Sequence, residues 1–115
     1  MSDGPNHHDP VPDPVRQELI RDIDNGKWST PKGHIWQAAV GYARRQLPEM
    51  GNPTVAGLWE YVLECLESGV PLRYAHLTVI KDGCGFEMPN ANGRGLYIKL
   101  RYDDESQLVL MSFHD

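Results

Sequence analysis

Gly95-Leu96-Tyr97-Ile98-Lys99-Leu100-Arg101-Tyr102, then Asp103-Asp104-Glu105-Ser106, then Gln107-Leu108-Val109-Leu110-Met111-Ser112-Phe113-His114-Asp115, is the stretch that decides the fold. Two alternating runs flank an acidic turn, the pattern of a β-hairpin whose successive side chains point to opposite faces. With Tyr102 set opposite Gln107, Leu96, Ile98 and Leu100 fall beside Val109, Met111 and Phe113 as a buried face. Tyr97, Lys99, Arg101, Ser112 and His114 then share the other face. Leu108 and Leu110 fit this register poorly, because it leaves them among the polar residues.

Upstream of the hairpin the residue period is also 2. After Pro71, Leu72 to Ile80 reads as a strand with Ala75, Leu77 and Val79 toward the core and Tyr74, His76 and Thr78 away from it. Asp82-Gly83 signals a tight turn, and Cys84 to Met88 returns as a short strand. Pro89-Asn90-Ala91-Asn92-Gly93-Arg94-Gly95 is a loop of residues that tolerate left-handed backbone angles.

Before Pro71 the period is 3.6. Val15, Leu19, Ile20 and Ile23 follow the Asp13-Pro14 start and stop at Gly26. Ser29-Thr30-Pro31 opens a second stripe of Ile35, Trp36, Ala39, Val40, Ala43 and Leu47. Asn52-Pro53 opens a third, Val55, Leu58, Trp59, Val62, Leu63 and Leu66, which closes at Ser68-Gly69. The expected fold is α+β, with three N-terminal helices packed on one face of a C-terminal antiparallel sheet of about four strands. Residues 1–14, with four prolines and no apolar periodicity, are expected as a disordered acidic tail, and residues 15–115 as a single α+β domain.

With 115 residues, 40% of them hydrophobic, the chain suffices for one core and not for two. It contains no apolar run long enough to span a membrane and starts on a polar, acidic segment without a secretory pattern, so a cytoplasmic protein is expected. Cys65 and Cys84 lack metal-ligand spacing and read as free thiols, and no metal or cofactor is expected. The net charge of −5 opposes nonspecific nucleic-acid binding. Asp3, Asp9 and Asp13 supply three of those five charges, however, so the rest of the chain can still present a positive face.

That face is where chemistry is expected. Lys99 and Arg101 beside Tyr97 combine cations for a phosphodiester backbone with an aromatic platform for bases, although alternating charge on a solvated strand would look the same. Arg73 and Arg94 extend the clamp from neighbouring segments, Arg94 from between two glycines. Ser112 adds a hydroxyl. His76 and His114, the histidines within expected strands, suit general acid and base catalysis near neutral pH. His7-His8 lies in the tail and reads as bland, Arg44-Arg45 as the complement of a helix dipole, and the three tryptophans as core.

Helices leading into a sheet whose last strands carry Tyr97-Ile98-Lys99 and Ser112-Phe113-His114 resemble the motility quorum-sensing regulator family of mRNA interferases, small bacterial RNase toxins of the RelE/barnase-like type. The family is basic where this chain is acidic, the family's terminal lysine stands here as His114, and no Trp-Gln segment directly precedes the tyrosine strand. The resemblance implies metal-free RNA cleavage to a cyclic phosphate, with Tyr97 and His114 at the scissile bond, Lys99 and Arg101 neutralising charge, and a cognate antitoxin covering the face. The acidic balance and small size suggest instead an immunity protein, antitoxin-like or phage-encoded inhibitor docking on a basic partner.

Overall fold

Three helices lead into four strands. The computed structural model describes residues 8–77 and 83–115, side chains excepted at 76, 77, 83 and 84. Helices α1 (Asp13–Asp24), α2 (Gly33–Gln46) and α3 (Val55–Glu67), with a 3-10 turn at Pro48–Met50, precede strands β1 (Arg73–Leu77), β2 (Gly83–Met88), β3 (Tyr97–Tyr102) and β4 (Leu108–His114). The strands form one antiparallel sheet in the order β1-β2-β3-β4, an α+β arrangement. Among the described residues no helix is long and apolar enough to cross a membrane.

Local chemistry sets the helix ends. Thr54 caps α3, its hydroxyl accepting from Gly57 N at 2.9 Å, and a Cβ on Gly57 would meet that oxygen at 2.9 Å. Helix α2 starts at Gly33 and not at the Ser29-Thr30-Pro31 cap signal, because that segment is used elsewhere. Trp28 forms a parallel bridge to Leu108, Leu108 N donates to Lys27 O at 2.8 Å, and Ser29 N donates to Leu108 O at 2.9 Å. The sheet edge competes for those backbone groups and wins.

One buried cluster joins Leu19, Ile23, Tyr42, Leu58, Trp59 and Leu66 of the helices with Phe86, Met88, Ile98, Leu100 and Phe113 of the sheet. Phe113 is central, with Tyr42 edge-on at 5.8 Å and Tyr61 at 6.3 Å between ring centroids.

Two strand parities differ from expectation. In β1, Tyr74 pairs with Phe86 and their rings lie 5.8 Å apart, so Tyr74 faces the main cluster, while Ala75, itself buried, shares the side of Arg73 and Glu87. Ala75 and Leu77 on one side and Tyr74 on the other can each face a core, and period alone gave them no direction. The Leu77 side chain, Thr78, Val79 and the Asp82 end of the expected turn lie outside the described residues.

In the terminal hairpin the turn is one residue longer than expected. Asp103 N donates to Gln107 O at 2.8 Å, and Asp103 Oδ1 accepts from Glu105 N and Gln107 N at 2.9 Å each. Tyr102 therefore pairs with Leu108, which turns Leu108 and Leu110 inward and Val109 and Met111 outward. A bulge follows: Leu100 pairs with Leu110 but Lys99 with Ser112, leaving Met111 extra on β4. The second shift cancels the first. Phe113 is buried, and Ser112 and His114 stand on the expected face.

Residues 8–11 of the expected tail run along β1. His8 N donates to Tyr74 O at 2.9 Å, Tyr74 N to Asp9 O at 2.8 Å and Val11 N to Leu72 O at 3.0 Å. Pro10 bridges Arg73, and Val11 is buried. The outer edge of β1 offers backbone donors and acceptors, and this segment satisfies them. Asp13 and Pro14 already belong to α1. Residues 1–7, His7 included, lie outside the described residues.

Candidate functional site

Strand register builds the site. Arg73 pairs with Glu87, Glu87 with Lys99, and Lys99 with Ser112, so a guanidinium, a carboxylate, an ammonium and a hydroxyl form one rung across all four strands. Tyr97 pairs with His114 beside that rung, their rings stacked 5.5 Å apart at 26°. This is the side of β3 opposite Ile98 and Leu100, both fully buried.

Glu87 is the hub of the rung. Only 5% exposed, it accepts from Arg73 Nε at 2.6 Å on Oε1 and from the Tyr97 hydroxyl on Oε2, and His8 Nε2 lies 3.3 Å from Oε1. Burial opposes its ionisation, but the hydrogen bonds from Tyr97 and Arg73 and the charges of Arg73 and His8 outweigh burial and hold the carboxyl below its ordinary value. Burial, then the hydrogen bond to Glu87 and that carboxylate's charge, push the Tyr97 phenol well above its ordinary value, against the opposing charge of Arg73. Glu87 is therefore an anion and Tyr97 a neutral donor across the physiological range.

Tyr97, Lys99, Ser112, His114 and Arg73 are brought together as expected. Arg101 shares their side opposite Val109; its Nη1 donates to Tyr102 O at 3.3 Å, while Nε is buried without a hydrogen-bond partner among the described residues. Arg94 is engaged elsewhere, with Nη1 donating to Gln46 O at 3.3 Å and Nη2 3.9 Å from Glu49 Oε1. Asn92 fixes that loop by accepting from Arg94 N at 2.9 Å, so the guanidinium reaches the end of α2 and the 3-10 turn. His76 pairs with Cys84 across the strands, and its side chain lies outside the described residues.

His114 is exposed, with Nδ1 3.1 Å from Asp115 O, and Arg45 Nη2 holds Asp115 Oδ1 at 3.3 Å. The C-terminal strand end is thereby tied to α2. Cys65 is a buried free thiol whose pKa burial, aided by the Glu64 charge, pushes up to about 11, so it is a poor nucleophile near neutrality.

Two members of the site were missed in the sequence. Glu87 is a single carboxylate between Phe86 and Met88, and a charged residue isolated in an apolar strand was the available signal. His8 had no comparable signal, since proline-rich composition masked the pairing of its segment. Together the groups set two cations, Lys99 and Arg101, and two imidazoles, His114 and His8, on the side of the sheet that carries the fixed Glu87 carboxylate. Among the described residues no three His, Cys, Asp or Glu side chains gather as a candidate metal site.

A concave feature separate from the rung lies along β4. An open groove of about 830 Å³ runs between Val109, Leu110 and Met111 and the segment from Ser29 to Ile35. No protein-family model matches the chain, and comparison with curated proteins and with solved structures finds no significant relative.

Proposed function

We propose that the chain is a metal-independent endoribonuclease, a bacterial, cytoplasmic toxin of a toxin–antitoxin or related conflict system, acting through the polar face of its sheet. The reading rests on the Arg73–Glu87–Lys99–Ser112 rung with Tyr97 and His114 beside it. It takes the helices to cover the Ile98 and Leu100 side, which leaves the Lys99 side to RNA. Lys99 and Arg101 neutralise the phosphate as charge develops, and Tyr97 offers its ring to a base while its hydroxyl stays on Glu87. His114, stacked on that ring, exchanges a proton at the scissile bond. A cognate antitoxin would bind the same face.

The resemblance of Tyr97-Ile98-Lys99 and Ser112-Phe113-His114 to the mRNA interferases points the same way. In single-stranded RNA with excess chelator, the protein is expected to yield 2′,3′-cyclic phosphate ends. Lys99→Ala and His114→Ala should each slow cleavage at least about tenfold at unchanged melting temperature. Full activity in both variants rejects the assignment.

The second reading is a non-enzymatic acidic inhibitor, favoured by the complete engagement of Glu87 and the net charge of −5. It predicts no cleavage and a tight complex with a basic protein whose association slows with salt.

A further inference from the structure

Cleavage through the 2′-hydroxyl needs two proton carriers, because the attacking oxygen loses a proton and the departing 5′-oxygen gains one. His114 supplies one. His8 Nε2 lies 3.3 Å from Glu87 Oε1, and its side chain is 48% exposed while the carboxylate is 5% exposed. Its backbone is fixed by the hydrogen bond from His8 N to Tyr74 O and by the Pro10–Arg73 bridge. Neither Glu87, held as an anion by Arg73 and Tyr97, nor Tyr97, held as a donor, is suited to shuttle the proton.

We infer that His8, oriented by Glu87, is the general base of the proposed cleavage, and that residues 8–11 are a working strand of the site. The inference rests on the endoribonuclease reading. In the step, His8 takes the 2′-hydroxyl proton as the O2′–P bond forms. The P–O5′ bond breaks, and the His114 imidazolium gives its proton to the 5′-oxygen, leaving a 2′,3′-cyclic phosphate and a 5′-hydroxyl. Glu87 stabilises the His8 imidazolium so formed, as a carboxylate behind a histidine does in hydrolase triads. Arg73 on β1 and Tyr97 on β3 hydrogen-bond the same carboxylate, and Lys99 on β3 is its cross-strand neighbour.

The test uses the full chain, an RNA oligonucleotide with one cleavable linkage, and its analogue with sulfur in place of the bridging 5′-oxygen, whose thiolate leaves without protonation. His8→Ala should lower kcat about 100-fold or more, remove the acidic limb of the pH–rate profile, and remain slow on the sulfur substrate. Added imidazole should restore part of the rate. His8→Gln, which keeps a polar partner for Glu87, should be equally slow at wild-type melting temperature. His114→Ala should instead recover on the sulfur substrate. A His8→Ala rate within about threefold of wild type, or a defect that vanishes on the sulfur substrate, overturns the inference and leaves the endoribonuclease reading standing. Folded wild-type protein that releases no cyclic phosphate overturns both.

Discussion

Arg73 donates through Nε to Glu87 Oε1 at 2.6 Å, joining β1 to β2 through a carboxylate that is 5% exposed. Removing one member of such a buried network leaves the others desolvated and unmatched, so Glu87→Ala should cost about 1–3 kcal/mol. The pH dependence follows from the lowered pKa of Glu87. A carboxyl held lower in the fold than in the unfolded chain stabilises the protein above the unfolded value of about 4.3 and loses that contribution as pH falls through the native value. Wild-type melting temperature should therefore drop below about pH 4, and Glu87→Gln should flatten that decline. An identical acid limb in the variant would show that Glu87 is not the group responsible.

Two phenols should titrate late. Burial and a carboxylate acceptor raise Tyr97, beside Glu87, and Tyr102, whose hydroxyl donates to Asp22 Oδ2 at 2.5 Å. Groups raised in the fold stabilise it below an unfolded value of about 10 and lose that contribution as pH rises through the native value. In an ultraviolet titration, the Tyr97→Phe and Tyr102→Phe spectra should each lack one late-ionising tyrosinate. Ionisation of either phenol together with the ordinary ones would contradict its hydrogen bond.

Much of this was legible in the chain. Helical stripes and the 2-residue period after Pro71 yielded the α+β order, and Tyr97-Ile98-Lys99-Leu100-Arg101 yielded the two faces of β3. Inversion of β1 was hidden because Tyr74 is aromatic enough for the core and Ala75 small enough for either side. The register of β4 depended on Asp103 closing a longer turn with its own side chain, which composition does not reveal. Misfit at Leu108 and Leu110 was the sequence's warning, and both are core. Glu87 stood out locally as a lone charge in an apolar strand, but its contact with His8 depends on pairing between distant segments, which no local pattern encodes.

Salt dependence offers a check on Lys99 that does not require cleavage. If Lys99 contacts a phosphate, Lys99→Ala should weaken binding of an uncleavable 2′-deoxy-substituted strand and reduce the slope of log affinity against log salt by about 0.7. Arg94→Ala, whose guanidinium is held by Gln46 and Glu49, should leave that slope unchanged. Equal slopes for Lys99→Ala and wild type would remove Lys99 from the phosphate surface.

The bulge at Met111 gives the sharpest test of the fold. Leu110 pairs with Leu100 and Ser112 with Lys99, so deleting Met111 closes the ladder without moving either pair. Phe113 stays inward and His114 stays beside Tyr97, and the cost should be about 1 kcal/mol for one half-buried side chain, a fall of roughly 4–8 °C in melting temperature. Deleting Val109 has the same length effect but the opposite consequence, because it turns one of the buried leucines Leu108 and Leu110 out of the core. That deletion should cost about 3 kcal/mol or more. Thermal melts of the two deletions, measured side by side, should differ widely; equal losses would mean that β4 is paired in some other register.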